Sequence, residues 1–264
     1  MKFASIIVTH YSSHDERSEI MRQSIQSLLD NTNYPYELIV VDNGGSTKDS
    51  QWLLELASQH KINCYVRNAN NMHFGFARNQ AIALANGDYI VIADNDILYK
   101  RDWLKVCIDV LEAYPDKKIY STPVYNVAHW LPKFWSNEVL KVGDLEYRLN
   151  YRAGSNCFVI RREDLMKIGN FMCHRVGGTK WTNKAISLGY TAAIAPRILI
   201  KDLGFREGYN LNVTIPVKQV LSDGSEVYYS EDEFIKENPG LYFRKQKARI
   251  CGLPLVTPSL IKSS

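Results

Sequence analysis

Four short apolar runs, at 3–9, 37–41, 63–66 and 89–93, alternate with stretches of helical spacing within the first 115 residues. The first helical stretch carries Ile20, Met21, Ile25, Leu28 and Leu29 on one face. Ser46 and Asp49 have capping-box spacing and open a second helix running to about His60. A third helix is expected over 76–85, and Trp103, Leu104, Cys107, Ile108 and Leu111 mark a fourth, closed near Pro115. Strands joined in this way by helices form βαβ units with right-handed crossovers. The expected fold class is therefore α/β, a mostly parallel sheet flanked by helices. Ligands of such sheets sit beyond the carboxyl ends of the strands.

The last of these runs ends in chemistry. Asn86-Gly87-Asp88 is turn material, Tyr89 to Ala93 a buried strand, and Asp94-Asn95-Asp96 follows at its carboxyl end. Two carboxylates at i, i+2 repel unless a cation lies between them. A small set of oxygen ligands suits Mg²⁺ or Mn²⁺, with a diphosphate completing the shell. The alternative is that Asp96 caps the next helix and Asp94 is solvated.

At 264 residues the chain is long enough for one large domain, or one domain with an appendage. A net charge of +4 with 23% charged residues does not single out nucleic acid as a partner. Cys64, Cys107, Cys157, Cys173 and Cys251 show no metal-site spacing and predict reduced thiols in a cytoplasmic setting. The apolar run at the N-terminus is too short for a signal peptide, and no stretch approaches a membrane span. Beyond Pro115 the rhythm changes. One or two strands are expected at 118–125, a strand at 154–160, a helix at 162–168, another at 182–188, and a strand at 190–195 stopped by Pro196. After about Gly204 the chain turns polar and irregular.

Taken in order, these pieces resemble the GT-A glycosyltransferases, specifically the large family 2. Ile6-Ile7-Val8-Thr9-His10-Tyr11 is similar to that family's first strand and nucleotide-contacting turn. Leu38 to Ser46 is similar to its second strand, Asn71 to Asn79 to the loop and helix that close over the donor, and Gly87 to Asp96 to the strand ending in the metal-binding D-x-D. The resemblance covers 3–115 strongly and 150–205 loosely. It implies a GT-A domain over 1–205, with a nucleotide-sugar-binding half at 1–115 and an acceptor half at 116–205, and a C-terminal extension over 206–264. It implies a nucleoside-diphosphate sugar, most often a UDP-sugar, as donor, with Mn²⁺ or Mg²⁺ as cofactor. Thr9, Tyr11, Asp42, Arg78, Asp94 and Asn95 are the implied donor contacts, and Asp94, Asp96 and Asp202 the implied metal ligands. Asp42 would accept from the base, and Arg78 would offset diphosphate charge.

Two departures stand out. Inverting members carry a Glu-Asp motif whose Asp is the general base, and here those positions fall on Gly177-Gly178. A base within reach of the acceptor hydroxyl is still required of that mechanism. His174, Asp144 and Asp202 are the nearest candidates by sequence, with His174 and Asp202 the preferred pair. A retaining reaction, or binding without transfer, would remove the need. The second departure is Asp202, standing where relatives place a late His ligand.

The aromatic segment with Trp130, Phe134 and Trp135, together with Trp181, either stacks on an acceptor or packs beneath a loop. Arg244, Lys245, Lys247 and Arg249 beside Tyr242 and Phe243 form either a solvated basic helix or a peripheral membrane or nucleic-acid contact. The acceptor expected from the resemblance is a glycan, a glycolipid precursor or another hydroxyl compound, with modified nucleic acid a lesser option. Two other function classes compete. One is a non-catalytic nucleotide-sugar-binding protein. The other is a nucleotidyltransferase, disfavoured because residues 10–15 contain neither Gly nor Lys for a phosphate loop.

Overall fold

Strand β1 (Ala4–His10) is buried along nearly its whole length, as a parallel strand covered on both faces must be. It pairs in parallel with β2 (Tyr36–Asp42) on one side and β4 (Tyr89–Asp94) on the other. The computed structural model describes residues 1–12, 15–124, 135–151, 157–172, 177–203, 217–220 and 226–229. It falls into two units, Met1–Lys201 and Asp202–Ser264.

In the first unit the connecting helices arrive as the periodicity predicts. They are α1 (Asp15–Asn31), α2 (Thr47–Ser58), α3 (Phe74–Leu84) and α4 (Trp103–Ala113), with β3 (Cys64–Arg67) and the short β5 (Ile97–Tyr99) between them. Ser46 caps α2, its hydroxyl accepting from Asp49 N at 3.2 Å. Gly87 is required by close approach, since a Cβ there would lie 2.5 Å from Ser5 N. That contact seats the turn before β4 against the start of β1.

The remaining strands are β6 (Ile119–Val124), β7 (Trp135–Val142), β8 (Leu145–Asn150), β9 (Cys157–Arg161), β10 (Thr191–Ile198) and β11 (Ile200–Asp202), with helices α5 (Arg162–Ile168) and α6 (Gly177–Ser187). The nine-stranded sheet runs β3-β2-β1-β4-β9-β6-β10-β8-β7. Only β9 and β8 run against the common direction, so the sheet is mostly parallel. β9 inserts antiparallel beside β4, with Ala93 opposite Cys157.

One sequence expectation is corrected here, one element is added and one open choice is resolved. The β7–β8 hairpin went unread, although Leu145-Glu146-Tyr147-Arg148-Leu149 alternates between the two faces and Gly143, at φ +55°, sits in its two-residue turn. β10 does not stop at Pro196. It passes through, and its register on β6 shifts between Ile194 and Ile198, the kind of irregularity that tolerates a missing N–H. Trp181 takes the packed alternative. It is 2% exposed, stacked on Phe158 at 4.8 Å and Phe171 at 5.2 Å, and its indole N–H donates to Gly169 O. It joins Tyr120, Ile160 and Ile168 in the core on this face of the sheet.

The second unit contains an antiparallel hairpin, β12 (Val217–Val220) with β13 (Glu226–Tyr229), where irregular chain was expected. Trp130, Phe134, the side chain of Trp135 and the basic stretch 242–249 lie outside the described residues. Among the described residues no helix is long and apolar enough to cross a membrane.

Candidate active site

Parallel register brings three strand ends to one edge. His10 lies opposite Asp42 and Thr9 opposite Asp94, so the carboxyl ends of β1, β2 and β4 are level. Thr9 and Tyr11 are partly buried there.

Each carboxylate of the D-x-D faces a buried guanidinium. Arg78 of α3 donates from Nη2 to Asp94 Oδ1 at 2.6 Å, and its plane lies over the Phe74 ring at 4.8 Å and the Phe171 ring at 5.3 Å. Arg78 Nη1 is buried and makes no hydrogen bond among the described residues. Arg17, in the first turn of α1, approaches Asp96 Oδ2 from Nη1 at 3.4 Å and Nη2 at 3.5 Å. These distances exceed the 2.7–2.9 Å of a tight charge-assisted bond. Asp94 is 18% exposed through its side chain and Asp96 only 2%. Asp96 is not a cap for α4. That place belongs to Asp102, in the left-handed region at φ +65°.

The side chain of Asn95 turns inward. Its amide donates to His10 Nδ1 at 2.8 Å, which leaves Nε2–H to donate to Asp49 Oδ2 at 3.0 Å. Ser12 and Ser18 also donate to Asp49 Oδ2, the latter at 2.8 Å, and Arg22 lies 3.7 Å from Oδ1. Burial alone would raise the Asp49 carboxyl, but the bonds from His10, Ser12 and Ser18 outweigh it and hold the group well below the usual carboxylate range. Asp49 thus completes only half of the capping box, because its carboxylate serves this network.

A pH dependence follows. With its folded value depressed, Asp49 contributes stability that is present above the unfolded pKa, about 4, and is lost as pH falls toward the folded value. The expected result is that wild type and Asp49→Asn differ most in urea midpoint at pH 7 and converge below about pH 4. A constant difference across that range would mean that the carboxylate carries no such linkage.

Asp42 closes the turn after β2. It is fully buried and accepts from Gly45 N at 2.7 Å, from Tyr65 Oη at 3.0 Å and from Ser50 Oγ. Burial, then the Asp42 charge, pushes the Tyr65 phenol up to about 12, so it stays a donor. These three bonds leave one lone pair of Oδ1 for a further donor. The neighbour Asn43, which sequence reasoning passed over, straps the next loop. It accepts from Asn68 Nδ2 and Met72 N and donates to Asn71 Oδ1. Gly44, at φ +81°, permits the contact, since a Cβ there would lie 2.7 Å from Asn70 C. The cluster of asparagines at 43, 68, 70 and 71 was the available signal.

The general-base candidates are less connected. His174 lies outside the described residues, and so does the side chain of Asp202, the last residue of β11. Asp144 is exposed in the β7–β8 turn, four to five strand positions from β4 and so about 19–24 Å away at ~4.8 Å per strand. Gly177 and Gly178 open α6, whose first turn contains no acid. The thiols of Cys107 and Cys157 are buried and free, with burial pushing Cys107 up to about 12, so neither is poised as a nucleophile.

Among the described residues no cluster of three or more His, Cys, Asp or Glu is placed to hold a metal. Asp94 and Asp96 nonetheless fit a hard cation that takes one or two carboxylates and completes its shell from substrate phosphates and water. Nη1 of Arg78, without a partner among the described residues, fits a phosphate oxygen.

The model of glycosyl transferase family 2 matches residues 5–177. Over 137 residues the chain is 26% identical to the glucosyl-dolichyl phosphate glucuronosyltransferase of Haloferax volcanii, covering 51% of this chain and 42% of that protein. Over 86 residues it is 29% identical to an uncharacterized glycosyltransferase of Methanocaldococcus jannaschii, covering 32% and 30%. The matches therefore span less than half of either relative. Among solved structures, the mannosyltransferase PcManGT of Pyrobaculum calidifontis in complex with GDP-Man and Mn²⁺ aligns with a TM-score of 0.59 at 19% identity, over 78% of this chain and 58% of that one. GalNAc-T7 with UDP, GalNAc and Mn²⁺ aligns with a TM-score of 0.59 at 13% identity, over 76% and 43%. These likenesses establish the GT-A fold.

Proposed function

The chain belongs to glycosyl transferase family 2, and from that membership we propose that it transfers a sugar from a nucleoside-diphosphate sugar to a hydroxyl acceptor, with a divalent cation at Asp94 and Asp96. The observation that carries this reading is the level edge of β1, β2 and β4, where Thr9 and Asp94 stand side by side, Arg78 grips Asp94 with one nitrogen left without a partner among the described residues, and Asp42 ends β2 at the same level. The chemistry that bound Mg²⁺ or Mn²⁺ supplies there is stabilisation of charge on the leaving diphosphate. Arg78 holds Asp94 in place and offers Nη1 to a phosphate oxygen. The His10–Asn95 bond holds the peptide between the two carboxylates, so both keep their geometry without substrate. His174 or Asp202 takes the acceptor proton in this proposal.

We assign the donor to the UDP-sugars. The Haloferax relative's name supports a lipid-linked sugar as the acceptor class, and the basic stretch at 242–249 is proposed as its membrane-facing contact. A second reading, nucleotide-sugar binding without transfer, is favoured by the acid-free first turn of α6.

Calorimetry of UDP- and GDP-sugars with and without Mn²⁺, followed by turnover of the bound donor, tests both readings. Metal-dependent binding of one donor with transfer or slow hydrolysis supports the enzyme. Binding with neither supports the second reading, and no binding at all removes both. In the same assay the variant that removes the base, His174→Gln or Asp202→Asn, is expected to lose about a hundredfold or more in kcat while keeping donor affinity.

A further inference from the structure

Arg17 is not among the residues that the sequence pattern pointed to, yet it is 3% exposed and faces Asp96. A buried guanidinium beside a D-x-D carboxylate competes with any cation that approaches the same oxygen. We propose that Arg17 is the built-in counter-ion of Asp96, which the divalent cation displaces, so that metal and nucleotide diphosphate enter this site as a coupled pair. The inference rests on the donor-site reading above and adds a residue and a binding order to it.

The argument is one of charge in a dry place. Asp94 and Asp96 face Arg78 and Arg17, and these four charges cancel. Adding a divalent cation alone leaves a surplus of two positive charges among buried groups. Adding the diphosphate of a nucleotide sugar alone leaves a surplus of two negative ones. Either is costly in low dielectric, and the two together restore balance. The geometry says which pair gives way. Arg78 grips Asp94 at 2.6 Å and is flanked by two aromatic rings, whereas Arg17 stands 3.4–3.5 Å from Asp96 Oδ2. The looser pair loses less when it opens. Released from Asp96, the guanidinium of Arg17 is adjacent to the arriving diphosphate, which it suits by its fork of donors. By linkage the effect is reciprocal, with metal raising nucleotide affinity by the factor by which nucleotide raises metal affinity.

Free diphosphate chelates Mn²⁺ by itself, so coupling in the wild type alone is not diagnostic. The change on removing Arg17 is. The experiment titrates Mn²⁺ against the full chain by electron paramagnetic resonance, with and without UDP and then GDP, for wild type, Arg17→Met and Arg17→Lys. Arg17→Met is expected to bind Mn²⁺ alone at least tenfold more tightly than wild type, with a smaller enhancement by nucleotide, and Arg17→Lys to stay close to wild type. Equal Mn²⁺ affinity in wild type and Arg17→Met overturns the inference and leaves the metal reading standing. No Mn²⁺ binding in any protein, with or without nucleotide, overturns both. Where Arg17→Met fails to fold, the Arg17 side-chain N–H resonance of the wild type is followed instead. It is expected to shift when Mg²⁺ and UDP are added together, and a stationary resonance overturns the inference.

Discussion

An Asp96→Asn variant is expected to lose about a thousandfold in kcat/KM, roughly 4 kcal/mol of transition-state stabilisation, the scale on which electrostatic contacts at a reacting centre act. The side chain keeps its shape but gives up the charge that the divalent cation needs. Arg17 then faces a neutral amide in a site where it is 3% exposed. Breaking a buried ion pair in this way costs about 3–5 kcal/mol of folding stability. The measurement is therefore made on protein shown to be folded by circular dichroism, as kcat/KM against Mn²⁺ concentration. A variant keeping more than a tenth of wild-type turnover at every Mn²⁺ concentration would remove Asp96 from the reaction.

Trp181→Ala is expected to cost about 3–5 kcal/mol of stability, as large-to-small changes of buried aromatics do. The ring stacks against both Phe158 and Phe171, and its N–H satisfies Gly169 O. Truncation leaves a cavity among large rings and a carbonyl without its donor. Trp181→Phe keeps most of the packing and loses only the hydrogen bond, so its cost is expected nearer 1 kcal/mol. Urea unfolding measures both, and turnover well below the unfolding midpoint completes the test. A stable Trp181→Ala protein with a raised acceptor KM would return this residue to the acceptor site.

The ordering of strands and helices through Pro115 was legible because it rests on local signals. Apolar runs of strand length, helical spacing and turn residues act over a few positions, and β1 to β4 and α1 to α4 lie within a few residues of where those signals put them. The D-x-D was legible for the same reason, since a parallel strand of this kind delivers its last residues to the sheet edge. Where those carboxylates find their partners was not. Arg78 and Asp94 are 16 residues apart, Arg17 and Asp96 are 79, and His10 and Asn95 are 85. No periodicity spans such distances. Nothing in its own neighbourhood distinguished Asp49 as an anchor of the site from Asp49 as a helix cap. Nor did the residues around Trp181 say that β9 would insert antiparallel and bring Phe158 against it. The sequence alone determined the fold class and the sheet edge that receives the D-x-D, because these follow from short-range sterics and hydrophobic period, and its motifs carried the resemblance to the family. Only the tertiary structure decided that both carboxylates carry buried arginine counter-ions, because burial and charge pairing depend on which distant elements the sheet order makes neighbours.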